Sequence, residues 1–448
     1  MNKDSGMDRD EKVLWILNEG TKYFRDHAAD VSAFGEDETE AARRFHSTVP
    51  GYGPTPLWSL PHLAEMLGVR GIYIKDESYR FGLNAFKALG ASYAIAKYLS
   101  SRLGKEISEL SYETLIGDAV RDALGEVTFA SATDGNHGRA VAWTARILRQ
   151  NAVIYMPKGS SRRRYDAIAA EGAHVTILDV NYDESVRIAA AEAEKNGWVV
   201  VQDTSRTGCE DIPMWIMQGY GTMPCEAMEQ LHASGAPEPT HVFVQAGVGS
   251  YAGAVQGFFR ARFGGSCPRV VVAEASKAAC FYRSASAGDG NPHIVTGDLD
   301  TIMAGLACGE PNPAAFGILR DHASAFVSCP DYVSARGMRM LGNPLTGDPF
   351  IRSGESGAVT AGLLAFIMGG HAPGFREALK LGRDSTILMF STEGDTDPVR
   401  YRSAVWDGEF PSFGAYGGEG RGRTRSARPY NSLFHDHVIR NAGAGRCN

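Results

Sequence analysis

Residues 75–93 read KDESYRFGLNAFKALGASY. A short apolar run at 71–74 feeds a charged turn, and the turn feeds a helix rich in small residues. Lys87 falls in the first turn of that helix, just after a cap expected at Asn84. The positive end of a helix dipole disfavours an ammonium at that point. It favours the uncharged amine, the form that attacks a carbonyl or takes a proton. A lone lysine on an amphipathic helix is ordinarily a surface residue, so the remainder of the chain has to decide its role.

The chain has 448 residues, 44% apolar and 22% charged, with a net charge of −7. That length buries a substantial core and suits two domains. The mildly acidic balance gives no electrostatic reason to expect nucleic acid as a partner. The polar N-terminus has no apolar core of the kind a secretion signal needs. The longest apolar stretch, 361–368, is too short to span a bilayer. Seven cysteines occur with no C-x-x-C pair, which speaks for a reducing cytoplasm and against a zinc site or disulfide framework. No metal is expected.

Residues 10–27 and 36–46 read as helical, and GYGPTPLWSL at 51–60 as an extended connector. From residue 127 onward, short β-branched runs alternate with helical patterns. Strands are expected at 127–132, 152–156, 174–178, 198–202, 241–245, 269–274, 325–327 and 386–390. Helices are expected at 139–148, 161–171, 184–196, 215–234, 251–262 and 358–368. This alternation predicts parallel sheets covered on both faces, whose ligands collect at the carboxyl ends of the strands. Past Gly408 the composition turns to Gly, Ser and Arg, as in a flexible tail.

What stands after each strand is therefore informative. TDGNHGRAVAW (133–143) places Asp134, Asn136 and His137 at a glycine-flanked helix start; alone, it fits a tight turn with a cap equally well. AGVGSYAGA (246–254) is a strand-to-helix glycine loop of the kind that binds phosphate through backbone N–H groups. Its G-x-G-x-x-x-G spacing is one residue longer than the dinucleotide fingerprint. Glu274, at the end of the next strand, keeps a nucleotide-binding alternative open. STEGDTDP (391–398) sets Ser391 and Thr392 at a strand end beside Glu393, Asp395 and Asp397, acids that read as a solvated turn or a cation site. Asp203 follows another strand, and Glu355 precedes a small-residue helix; each alone reads as a cap or a solvated turn.

A helix-start lysine, a phosphate loop, a ligand-facing asparagine and a strand-end hydroxyl together suit pyridoxal phosphate. The chain resembles the fold-type-II, tryptophan-synthase-β-like enzymes and, among them, the diaminopropionate ammonia-lyase family. The resemblance runs over residues 45–408. It rests on KDESYRFGLNAFKALG, TDGNHGRAVAW, NAVIYMPKGS, WIMQGYGT, QAGVG, TIMAGLACGEPNP, SGESGAV and STEGDTD. It implies that Lys87 carries the cofactor and that Asn136 meets its phenolic oxygen. Residues 247–253, among them Gly247, Val248, Gly249 and Ser250, would hold its phosphate, and Ser391, with Thr392 as second choice, would face its ring nitrogen. It further implies Asp134 as a second base opposite Lys87, and Asp203 and Tyr182 near the substrate's second amino group. Glu355 is carried as a further substrate-side candidate.

The implied fold is α/β, with two doubly wound domains and the cofactor in the crevice between them. The expected large domain spans 1–95 and 211–408, the small domain 96–210 and the tail 409–448. The implied reaction is α,β-elimination of 2,3-diaminopropionate to pyruvate and two ammonia, by a cytoplasmic homodimer with a small amino-acid substrate. Two departures bear on the substrate. Where the family runs D-T-x-W-E-G-Y, residues 203–209 run D-T-S-R-T-G-C, with Arg206, Thr207 and Cys209. Ser276 stands in place of an acid in EASKA. A relative acting on another β-substituted amino acid, of serine or threonine type, is the alternative.

Overall fold

The computed structural model describes residues 12–18, 28–133, 135–204 and 210–412. Its strands are β1 (Leu14–Leu17), β2 (Leu57–Ser59), β3 (Gly71–Asp76), β4 (Thr128–Ala132), β5 (Asn151–Met156), β6 (His174–Ile177), β7 (Val199–Val200), β8 (His241–Gln245), β9 (Arg269–Ala275), β10 (Ala325–Cys329) and β11 (Thr386–Ser391). Among the described residues they form two sheets. One has seven strands in the order β1-β10-β9-β8-β11-β3-β2, and the other has four in the order β6-β5-β4-β7. The five inner strands of the larger sheet are mutually parallel, as are all four strands of the smaller one.

The reason lies in the sequences. HVFVQ, AFVSC and TILMFS are buried at every position, as parallel strands covered by helices on both faces must be. The edge strands β1 and β2 run antiparallel to their neighbours and are at most half-buried. The helix expected over 10–27 is overturned where the chain is described. LWIL pairs with the free edge of β10, Leu14 opposite Ser328, and Trp15 stacks on Phe375 with ring centroids 4.7 Å apart. A four-residue apolar run takes its conformation from the sheet edge it meets, and local propensity is too weak to resist. The helix expected over 215–234 divides into Asp211–Tyr220 and Thr222–Ala233.

The charged turn at the head of the opening stretch is buried. Lys75, Glu77, Arg80 and Glu226 are each no more than 1% exposed. The Lys75 ammonium donates to Glu226 Oε2 (2.6 Å), Thr55 O (2.7 Å) and Gln230 Oε1 (2.8 Å), which uses all three of its N–H groups. Arg80 clamps Glu77 with two N–H groups (2.9 and 3.0 Å) and Glu226 with two more contacts (2.9 and 2.8 Å). Two cations face two anions, and the 51–60 connector closes over them: Tyr52 and Thr55 both donate to Glu226. The network fixes the backbone between β3 and the Lys87 helix.

Removing one partner of such a network leaves buried charge uncompensated. Glu226→Gln is expected to destabilise the fold by about 3–5 kcal/mol, read as a lower urea midpoint with an unchanged slope. Burial alone would raise the Glu226 carboxyl, but Arg80 and then Lys75 pull it down to about 2. Its contribution is therefore in place above the ordinary glutamate value of about 4.3 and is lost as pH falls through about 2. The acid limb of a pH–stability profile should flatten in the variant.

Candidate active site

Lys87 is the first residue of the Lys87–Leu103 helix. The cap is not Asn84, as its sequence position suggested, but Phe86, which offers no side-chain acceptor. Asn84 is left-handed at φ +61°, a conformation its short polar side chain tolerates. Its carbonyl accepts from Gly394 N at 3.0 Å, and Phe86 N donates to Thr392 O at 3.0 Å. The lysine's approach is thus clipped to the segment leaving β11. Behind it, the helix lies close on Asp211–Tyr220: a Cβ at Gly219 would come within 2.5 Å of Leu89 O.

The Lys87 ammonium forms an ion pair with Asp203. Burial disfavours the charge, but Asp203 overrides it and holds the lysine above its ordinary pKa. This reverses the expectation of a neutral amine. A helix N-terminus is worth about 0.3–1 kcal/mol, whereas an opposite unit charge in contact is worth about 4 kcal/mol even at an effective dielectric of 20. Burial would likewise raise Asp203, yet Lys87 brings it down to about 2. Burial lowers His137, so its neutral ring donates from Nε2 to Val201 O at 3.0 Å. The Asp203 carbonyl is held by Ser250 Oγ at 2.6 Å and Asn312 Nδ2 at 3.1 Å.

Ser250 opens the helix that follows the glycine loop. Among the described residues, none of the N–H groups of Gly247, Val248, Gly249 and Ser250 has a hydrogen-bond partner. Gly249 has φ +91°, and a Cβ there would lie 2.3 Å from the Phe281 ring; one at Gly247 would lie 3.0 Å from Gly305 O. Gly249 thus needs glycine, and Gly247 sits where a Cβ would be crowded. Gly253 does not belong to this cradle: it packs the helix against Ala315. Free amides at a helix N-terminus make an anion site, which fits the phosphate of pyridoxal phosphate.

A cavity of about 340 Å³ brings this loop together with Lys87, Asn136, Tyr182, Asp203 and Thr392. Thr392 Oγ1 accepts from Gln245 Nε2 at 2.8 Å, which leaves the hydroxyl hydrogen available to a ring nitrogen. Ser391 ends β11 but donates to Ser353 Oγ at 2.8 Å, away from the lining. Tyr182 accepts from Gln202 at 2.9 Å. Glu355 is 1% exposed and outside the lining; burial, then Glu393, push its carboxyl up to about 8. Glu274 caps the Cys280–Ala287 helix through Phe281 N (2.8 Å) and Tyr282 N (2.7 Å), and the ribose-binding alternative loses its acid. Gln245, which also lines the cavity, escaped the sequence reading, and Glu393, read there as an acid of a solvated turn or cation site, lines it too. Gln245 gave one signal, as the polar end of an apolar strand. Asp134, Arg206, Thr207 and Cys209 lie outside the described residues. Ser276 begins a short 3-10 turn, Ser276–Ala278. No cluster of described residues could hold a metal ion, and no single described helix is long and apolar enough to cross a membrane.

Comparison with known proteins agrees with this geometry. Residues 48–380 match the family described as pyridoxal-phosphate dependent enzyme. The diaminopropionate ammonia-lyase of Salmonella typhimurium is 50% identical over 367 residues, covering 81% of this chain and 91% of that one. Its Escherichia coli K12 counterpart is 50% identical over 380 residues, covering 84% and 93%. The crystal structure of holo diaminopropionate ammonia-lyase from Escherichia coli superposes with a TM-score of 0.82 at 47% identity, covering 89% of this chain and 98% of that chain. Threonine deaminase from Solanum lycopersicum shares the fold, with a TM-score of 0.63 at 21% identity over 87% of this chain and 96% of that one. The chain belongs to the pyridoxal-phosphate dependent enzyme family, in the branch occupied by the diaminopropionate ammonia-lyases of Salmonella and Escherichia coli.

Proposed function

We propose that this protein eliminates ammonia from 2,3-diaminopropionate, giving pyruvate and two ammonia, with pyridoxal phosphate carried by Lys87. The observation that carries the reading is the placement of Lys87 and Asp203 in one cavity with four backbone N–H groups that have no partner among the described residues. The half-identical lyases supply the substrate. When bound, the cofactor supplies the electron sink for charge left on the substrate's α-carbon.

The chain's residues do the rest. The amides of Gly247–Ser250 would bind the phosphate, and Asn136 would donate to the phenolic oxygen. Thr392 donates to the ring nitrogen; a hydroxyl there, in place of a carboxylate, restrains the electron sink and favours elimination over transamination. Lys87 Nζ takes the α-proton from one face, and Asp134 serves the other face on the strength of the sequence match. Asp203 and Tyr182 hold the second amino group. The four-stranded layer supports a smaller domain at 96–210 that closes over the cleft and excludes water. The unbridged thiols of Cys225, Cys267, Cys280 and Cys329 suit a reducing cytoplasm. Val399 and Trp406, 74% and 75% exposed, suit the interface of a homodimer.

Incubation with 2,3-diaminopropionate should release pyruvate and ammonia, and Lys87→Ala should abolish both this activity and the visible absorbance of bound cofactor. Turnover of serine or threonine with none of the diamine would transfer the reading to the dehydratase alternative. A second expectation concerns loading. Asp203 favours the protonated form of Lys87, and the neutral amine is the form that would carry the cofactor. In Asp203→Asn the lysine pKa falls, so growth of the visible band after adding pyridoxal phosphate to cofactor-free protein should begin at lower pH. An unchanged pH dependence of that growth would refute this role for Asp203.

A further inference from the structure

We propose that Glu393 is a positioning residue that locks the Asn136 amide with an N–H toward the cofactor's phenolic oxygen. The inference rests on the cofactor reading above. In sequence, Glu393 belongs to a run of acids that looks solvated; in the structure it is 5% exposed and lines the cavity. Its backbone is fixed on two sides. Gly354 N donates to its carbonyl at 2.9 Å, and Ala85, two residues before Lys87, bridges to it antiparallel. Its side chain is fixed on a third: Oε2 accepts from Asn136 Nδ2 at 2.5 Å and from Thr396 Oγ1 at 3.4 Å.

An asparagine amide has a donating and an accepting end of nearly equal shape, so something must choose between them. A carboxylate only accepts, and it therefore takes the N–H₂ end of Asn136. One N–H is then bound to Glu393, and the other projects from the same nitrogen. Without this constraint the amide can turn its carbonyl toward the phenolic oxygen, a contact between two acceptors. Glu355 is buried close by, with Arg164 Nη2 3.9 Å from its Oε1. Burial and the neighbouring Glu393 raise the Glu355 carboxyl to about 8.

The test uses wild type, Glu393→Gln and Glu393→Asp, each reconstituted with pyridoxal phosphate and brought to equal cofactor content. Glutamine keeps the size of the side chain but can accept or donate, so it no longer selects the amide orientation. Its holoprotein should lose visible absorbance in favour of a shorter-wavelength band and should retain cofactor roughly tenfold less tightly. Aspartate keeps the accept-only chemistry and should hold the wild-type band. A Glu393→Gln spectrum and affinity equal to wild type overturn the inference. So does a lower melting temperature in both variants with the spectrum unmoved, the result a merely structural role gives. Should the glutamine variant fail to fold, aspartate decides: a wild-type band supports the lock, and a shifted band overturns it. Wild-type protein that forms no visible band with added cofactor fails the cofactor reading itself, an outcome separate from the others.

Discussion

Four charges packed out of water, Lys75 and Arg80 against Glu77 and Glu226, hold up the path into the active cleft. Buried ion pairs are weak evidence for stability, because an apolar replacement of similar volume often does as well. What they supply is geometry. Each donor of Lys75 and most donors of Arg80 have one acceptable partner, so the backbone from β3 to Lys87 has few alternative arrangements. The chain between those points includes Phe81 and Asn84 at positive φ. Conformations of that kind persist only where their surroundings over-determine them. The network stands on one side of this segment, and the bond between Gly394 N and Asn84 O stands on the other.

That rigidity matters because the electrostatics of the cleft are set at contact distance. The helix N-terminus acts on Lys87 weakly, and Asp203 acts on it strongly. Which one wins depends on where Asp203 is held. Its side chain meets the lysine, while its carbonyl is gripped by Ser250 and Asn312. Asn312 also donates its backbone N–H to Val248 O at 2.8 Å. The acid beside the lysine and the loop shaped for phosphate are thus one hydrogen-bonded unit, although they are distant in sequence.

Much of this was legible beforehand, for identifiable reasons. Strands such as HVFVQ and TILMFS announce themselves because burial on both faces leaves no polar alternation to confuse with a helix. Lys87, Asn136 and the glycine loop announce themselves because their chemistry needs particular residue types at fixed offsets from a strand end. The edge strand LWIL did not, since its conformation comes from a partner more than 300 residues away. For the hydroxyl facing the ring nitrogen the sequence reading put Ser391 before Thr392. In the structure Ser391 donates to Ser353 while Thr392 lines the cavity, a difference of partners that adjacent hydroxyls do not display in sequence. The charge state of Lys87 was misjudged because its decisive neighbour is 116 residues distant.

Glu393 shows the same limit most sharply. Three acids in five residues resemble a solvated turn whenever each is judged by its local company. Their burial is decided elsewhere: Asn136 reaches Glu393 from 257 residues away, while Asp397 merely caps the Pro398–Val405 helix. Composition therefore separates these acids poorly, and their hydrogen-bond partners separate them well. A carboxylate within the cavity, fixed by its own backbone and facing an amide, has lost the freedom of a surface group. Its effect on the site follows from being able only to accept. In this cleft the selective step is the choice of which atom each ambivalent side chain presents. That choice is made by the side chains beside them, as Gln245 does for Thr392 and Glu393 for Asn136.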